Sequence, residues 1–238
     1  MNKAIEKRIS RRNFSKENLS KENINKIKDL VKENNEISNL NIKFIENGNI
    51  AFNSLKKSYG IFSNVKSLLL MKGNKDDINL KEKIGYYGED LILKITNLGL
   101  GTCWVGGTYD NSNFIIPDNE ELVCVILIGN IQKSLKDNIV RTLVSSKNRK
   151  DIKERIITDT EKIPSWIING LEAIKLAPSA MNSQKPTIYY KKDIITIKVP
   201  NNAKFDLVDL GIAKKHFEIA ANNGKFDLGN GAKYIKNI

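Results

Sequence analysis

The chemistry that this chain can offer is densest between Ala177 and Pro186, where the run Ala-Pro-Ser-Ala-Met-Asn-Ser-Gln-Lys-Pro sets hydroxyl and carboxamide groups side by side. Pro178 lacks a backbone donor and stops the helical run before it. Ser179, Asn182 and Gln184 can each donate and accept hydrogen bonds, which suits the edge of a flat heterocycle whose donors and acceptors alternate. The same composition also makes ordinary polar loops after helices, so the segment needs company before it means more.

Company comes from two further segments. Lys7-Arg8-Ile9-Ser10-Arg11-Arg12-Asn13-Phe14 gathers arginines at the start of the chain, and planar guanidiniums grip small anions with paired hydrogen bonds. Gly99-Leu100-Gly101-Thr102-Cys103-Trp104-Val105-Gly106-Gly107 reads as a glycine-rich turn that lets another group approach the backbone closely. His216, the single histidine, lies in a helical stretch and reads as a packing or surface residue, so no Ser/His/Asp catalytic set is expected. Cys103 and Cys124 lack the spacing of a metal or redox pair and read as buried small hydrophobes. No G-x-G-x-x-G follows a strand, which argues against a separate dinucleotide-binding domain.

Composition bounds the class. The 238 residues are 40% hydrophobic, enough for one good-sized core or two small ones. No apolar run approaches a membrane span, and the first residues lack the apolar core of a secretory signal, so a cytoplasmic protein with no membrane partner is expected. The net charge of +12 raises the question of nucleic acid. Lysines are dispersed among Asp and Glu through nearly every segment, and 7% aromatic residues provide no stacking ladder. A solvated lysine-rich surface with no nucleic-acid partner is the better reading.

The elements that must position these groups follow from periodicity. Ser20 precedes a helix with apolar Ile24, Ile27 and Val31; Leu40 to Glu46 and Val65 to Met71 read as strands, the second entered by a turn at Tyr59-Gly60. Leu80, Ile84, Tyr87, Leu91, Ile95 and Leu98 form one stripe of a long helix that Gly99 ends. Leu122 to Gly129 is continuously apolar, as in a central strand covered on both faces. The charged stretch Ser134 to Lys162 reads as a connecting arm. Ser165 to Ala177 then reads as a helix, Thr187 to Val199 as two short strands around Lys191-Lys192-Asp193, and Asp206 to Asn223 as a last helix. The order of helix, polar loop, strands and helix occurs in both parts, which suggests an internal duplication or a fused partner domain. The expected division is 1–150 and a shorter 151–238, packed closely, the second with too little core to stand alone.

Three separated signatures together resemble the flavin-dependent nitroreductase family: Arg8 to Phe14 is similar to its Arg-x-Ser-x-Arg-x-Phe motif, Gly99 to Gly107 to its post-helix glycine turn, and Ala177 to Pro186 to its Pro-Ser-x-x-Asn-x-Gln loop. Gly85-Tyr86-Tyr87-Gly88-Glu89 fits the lead-in to the glycine turn. The resemblance implies an α+β nitroreductase-like fold with a mixed, mostly antiparallel sheet flanked by helices. Family members are homodimers whose flavin sites are shared, the arginine motif from one subunit and the Pro-Ser loop from the other. Here the Pro-Ser loop lies beyond residue 170. Lys32 to Leu40 lacks the Pro and Gln of that loop, and no Arg-x-Ser-x-Arg occurs around Ile163 to Trp166. This resembles the branch in which two unequal halves of one chain mimic the dimer, with one FMN per chain and a monomer as the unit.

By this resemblance Arg8, Ser10 and Arg12 hold the FMN phosphate, with Arg11 facing solvent, and Lys147 and Arg149 close on the phosphate from another side. Gly106 and Gly107 approach the reactive edge of the ring, while Pro178, Ser179, Asn182 and Gln184 frame it. The flavin carries the hydride from NAD(P)H to a small electron-poor acceptor such as a nitroaromatic or quinone, so no catalytic side chain and no metal are expected. Two other readings stand beside it: a flavin protein of this fold without nitro substrates, and, more remotely, a basic nucleic-acid-binding module.

Overall fold

The computed structural model describes residues 2–48, 62–110, 112, 114–132 and 148–237. The expected Tyr59-Gly60 turn and Lys147 therefore lie outside the described residues. The chain divides into two compact units. One, here the C-terminal unit, comprises Met1–Glu6, Lys81–Asp90 and Ser145–Ile238; the other, the N-terminal unit, comprises Lys7–Leu80 and Leu91–Val144.

In the N-terminal unit, helix α2 (Lys21–Ser38) starts where Ser20 accepts a hydrogen bond from the Asn23 amide at 3.1 Å. It ends at Asn39, whose left-handed φ of 55° suits asparagine. Strands β1 (Lys43–Ile45), β2 (Ser67–Asn74), β3 (Leu100–Val105) and β4 (Glu120–Asn130) form an antiparallel sheet in the order β1-β2-β4-β3. β4 is interior, paired on both sides, and Val123 to Gly129 is buried throughout, as its unbroken apolar run predicts. The ordered strand after α2 is shorter than Leu40–Glu46. Gly99 to Gly107 is not a turn overall: Gly99, at φ 79°, ends the preceding helix, and the chain then pairs as β3 for six residues. Cys103 and Cys124 are buried and unbridged.

Helix α3 (Leu80–Asn97) belongs to both units, with Leu91, Ile92, Leu93 and Ile95 buried in the N-terminal one. Its Lys81–Asp90 part lies in the C-terminal unit and packs against α5 (Asp206–Ala221), which also packs on α4 (Ser165–Leu176). There a three-stranded sheet of β5 (Ile156–Thr158), β6 (Thr187–Lys191) and β7 (Ile194–Lys198) backs the core. β6 and β7 form a hairpin through Lys192 and Asp193, both at positive φ, as a two-residue turn of matching twist requires. β5 runs parallel to β6, so part of the expected charged arm is a strand. Ile167, Leu171, Ile174, Ile188, Ile195 and Phe217 lead the core, and a short hairpin of β8 (Gly224–Phe226) and β9 (Tyr234–Lys236) closes it. A preceding short helix, α1 (Lys3–Lys7), opens the chain.

α5 is buried around most of its circumference, so its polar residues must be paired inside. Lys214 donates to Glu82 Oε1 at 2.5 Å and to the carbonyls of Asp227 and Gly229 at 2.8 and 2.9 Å. His216 is fully buried, with Nδ1 2.9 Å from the Ala173 carbonyl and Nε2 2.9 Å from Glu89. A carbonyl only accepts, so Nδ1 carries a proton and the Glu89 side holds the second partner. The lone histidine is thus a packing residue. Glu218 accepts from the Tyr86 hydroxyl and from the Phe226 amide, and burial pushes its carboxyl above the ordinary range.

Candidate functional site

The arginine motif in the N-terminal unit is laid along β3. Ser10 bridges Thr102 in the parallel sense, and the Arg11 amide donates to the Thr102 carbonyl at 2.8 Å. Side chains along such a segment alternate in direction, so Arg8, Ser10 and Arg12 share one side. All three gather at Cys103: burial pushes its thiol pKa up, while the Arg12 and Arg8 guanidiniums and the Ser10 hydroxyl pull it down. Arg8 is 7% exposed. The Nη1 of Arg12 is buried and makes no hydrogen bond among the described residues. A buried guanidinium donor without an acceptor is costly, and an anion beside it removes that cost.

Arg11 is not a free solvent-facing side chain. Its stem lies over Gly101, where a side chain would meet Arg11 Cγ at 2.9 Å, and it is only partly exposed. Gly129 makes the same kind of room for the ring of Phe14, which is fully buried and anchors the end of the motif. Gly106 and Gly107 follow β3 as a bend. Gly107 is exposed with open space where a side chain would stand, so its backbone is approachable from outside.

The second group of predicted residues lies in the C-terminal unit. α4 stops at Leu176, Ala177 takes extended backbone, and a single tight turn follows at Ala180–Asn182. Met181, Asn182 and Gln184 all adopt positive φ, at 54°, 53° and 53°, and Met181 is 98% exposed. Asparagine tolerates this region; methionine and glutamine do so only where surroundings impose it.

Those surroundings are specific. The Ala180 amide donates to both carboxylate oxygens of Asp209, at 3.0 and 3.1 Å, and the Ser183 hydroxyl donates to Oδ2 at 3.3 Å. The Gln184 amide donates to Ser179 Oγ at 3.0 Å. Arg149 Nη1 donates to the Ala177 carbonyl at 2.9 Å and to Asn182 Oδ1 at 3.3 Å. Asn182 Nδ2 and Gln184 Nε2 both donate to the Asn148 carbonyl, at 3.0 and 2.9 Å. Gln184 Oε1 accepts from the Lys150 amide at 3.0 Å and from Arg155 Nη2.

Arg149 and the Pro178–Gln184 loop, far apart in sequence, therefore meet, and Arg149 grips the loop. The two carboxamides are spent on residues 148–150 and Arg155, so they shape the loop from within. Sequence reasoning missed Asn148, Arg155 and Asp209. Arg155 is 2% exposed, its Nε has no hydrogen-bond partner among the described residues, and burial pulls its pKa below the ordinary value. Nothing in the charged arm distinguished it from its neighbours. Asp209 lies in the first turn of α5, where acids are common, and its burial under the loop had no local signal.

Arg8, Ser10, Arg12, Gly106 and Gly107 thus belong to one unit, and Arg149, Pro178, Ser179, Asn182 and Gln184 to the other. Among the described residues no helix is long and apolar enough to cross a membrane.

Comparison with known proteins gives the lineage. The crystal structure of a putative nitroreductase from Thermotoga maritima MSB8 is similar in fold, with a TM-score of 0.66 at 23% identity over 98% of this chain and 92% of that one. A nitroreductase family protein from Clostridium difficile 630 aligns with a TM-score of 0.49 at 20% identity, over 67% of this chain and 99% of that one. No curated protein matches the chain. Residues 1–221 match the family model described as "Putative TM nitroreductase", and the chain belongs to that nitroreductase family.

Proposed function

We propose that this protein is an FMN-dependent oxidoreductase that passes a hydride from NAD(P)H to a small electron-poor acceptor such as a nitroaromatic or a quinone. The observation that carries the reading is the buried Nη1 of Arg12, which has no hydrogen-bond partner among the described residues and lies on the same side as Arg8 and Ser10. A donor set of two guanidiniums and a hydroxyl fits a phosphate monoester. Arg8 and Arg12 bind the phosphate and Ser10 donates a further hydrogen bond.

FMN, when bound, supplies the hydride chemistry itself. The chain's task is to hold and orient. Gly106 and Gly107, the second with a backbone that a ligand can approach, offer amide donors toward the reactive edge of the ring. Pro178, Ser179, Asn182 and Gln184 frame the ring, the carboxamides through the shape they impose on the loop. Arg149 acts through the same loop rather than on the phosphate alone, with Lys147 beside it in sequence.

The pairing of α3 with α5 supports the view of the chain as an internal pseudo-dimer. A side chain at Gly85 would overlap the Val208 carbonyl, and one at Gly211 would overlap the Glu82 carbonyl. Each glycine meets the residue three before the other, and such reciprocity is what a two-fold relationship between duplicated helices produces. On this reading the unit is a monomer that holds one FMN per chain.

The test is the visible spectrum of the purified protein with its flavin stoichiometry, followed by NAD(P)H oxidation with nitroaromatic and quinone acceptors. A flavin spectrum with one FMN per chain supports the reading. A protein that takes up no FMN overturns it, and two FMN per chain overturns the pseudo-dimer.

A further inference from the structure

We propose that Asp209 is a positioning residue that latches the Ser179–Gln184 loop and, by gaining or losing a proton, switches the direction in which the Ser183 hydroxyl donates. As a flavin-positioning role this rests on the function proposed above; as a latch it stands on the C-terminal unit alone.

The geometry is that of a clasp. Asp209 is 3% exposed and accepts from the Ala180 amide through both oxygens and from Ser183 Oγ through Oδ2. The segment it clasps holds three non-glycine residues at positive φ and ends in the hydrogen bond from the Gln184 amide to Ser179 Oγ. Such a conformation persists only where neighbours over-determine it. Asp209 supplies the contacts from α5, and Arg149, Asn148, Lys150 and Arg155 supply those from the 148–155 side.

Ionised, Asp209 only accepts, and the Ser183 proton must point inward. Neutral, its carboxylic acid carries one proton that needs an acceptor, and Ser183 Oγ, 3.3 Å from Oδ2, is an oxygen within reach. The acid then donates to Ser183, whose own proton turns outward. One protonation step thus exchanges a loop hydroxyl that is committed for one that can donate to a ligand, without breaking the bond from Ala180. The charged groups acting on Asp209 are Asp206, on the same helix, which opposes its ionisation, and Lys185, just past the loop, which favours it. Lys185 is itself held to Asp206 at 2.8 Å. Burial places the change near neutrality, at about 7.

The experiment uses the full chain in two arms. In the first, the Ala180 amide resonance of the flavin-free protein is followed by NMR across pH, in wild type and in Asp209→Asn. A single titration near neutrality in wild type that vanishes in Asp209→Asn supports the latch; an Ala180 amide that does not titrate overturns it. In the second, FMN dissociation constants are measured between about pH 6 and about pH 8, where wild type is expected to bind about threefold tighter at the acid end than Asp209→Asn's own pH profile accounts for. The variant's profile cancels the titration of the FMN phosphate itself. Ser183→Ala, which removes the switching hydroxyl but keeps Asp209, is expected to lose the same excess while retaining the Ala180 titration. Identical FMN profiles in all three proteins overturn the positioning role. If wild type takes up no FMN at all, the proposed function fails, and the latch stands or falls on the Ala180 amide.

Discussion

Gly85 on α3 and Gly211 on α5 are packed crosswise, each leaving room for a backbone carbonyl of the opposite helix: Val208 against Gly85 and Glu82 against Gly211. Backbone atoms cannot move aside as a flexible side chain can. Gly85→Ala and Gly211→Ala are each expected to lower stability by about 1–3 kcal/mol, the range for overpacking a filled core. The double variant should lose less than the sum, since helices already separated by one methyl admit the second more easily. Urea unfolding of the three proteins checks this, and an additive pair would mean the two contacts are independent.

Lys214 is buried with its ammonium bound to Glu82 and two carbonyls. Lys214→Met leaves Glu82 charged and buried, and the expected loss is about 3–5 kcal/mol. Adding Glu82→Gln should return much of it, because the neutral amide needs no counter-charge. Unfolding midpoints of single and double variants decide the matter; no recovery in the double variant would show that packing, rather than charge, set the cost.

Arg12→Met separates ligand binding from folding. Removing a guanidinium whose Nη1 is buried and unbonded among the described residues should leave the flavin-free protein as stable as wild type, or more stable by up to about 1 kcal/mol. FMN affinity should fall about tenfold or more with the loss of a charge-assisted pair. Arg8→Ala combined with Arg12→Ala should abolish retention. Thermal melts without flavin and fluorescence titration with FMN give the two numbers, and equal losses in both would mark Arg12 as structural.

The pH dependence of stability has a worked sign. Asp209 is raised from 3.8 to about 7 and Glu218 is raised as well, both by burial. The unfolded chain therefore releases these protons first, and the stability that Asp209 contributes is fully present below about pH 4, declines as pH rises toward about 7, and levels off above it, with Glu218 acting in the same direction. For Asp209 the decline is on the order of a few kcal/mol. Asp206, held low by Lys185 and the Asn202 and Ala203 amides against its burial, acts in the opposite sense, its contribution being lost as pH falls through its folded value. Urea unfolding across this range should show the decline in wild type and a flatter curve in Asp209→Asn.

Much of the fold was legible because it is locally encoded. The Ser20 cap, the apolar stripe from Leu80 to Leu98, the stop at Gly99 and the continuous run of β4 each carry their signal within a few residues, and each element formed where that signal stands. β5 was not legible: Ile156 to Thr158 lies in a charged stretch and becomes a strand only because β6 offers a parallel edge from Ile188 to Tyr190. Gly101 reads locally as turn material, yet it is strand backbone kept bare for the stem of Arg11.

The sequence by itself determined the chemical vocabulary: alternating Arg8, Ser10 and Arg12, a glycine bend, and a Pro-Ser loop with two carboxamides, together enough to point to the family. Only the tertiary structure decided how those groups are used. It turned Asn182 and Gln184 inward onto residues 148–150, brought Arg149 to the loop, and set Asp209 beneath Ala180 and Ser183. The reason is physical: residue type and short spacing fix which hydrogen bonds and charges are available. Which are satisfied internally and which stay open for a ligand depends on burial and on partners supplied from far along the chain, which local periodicity does not encode.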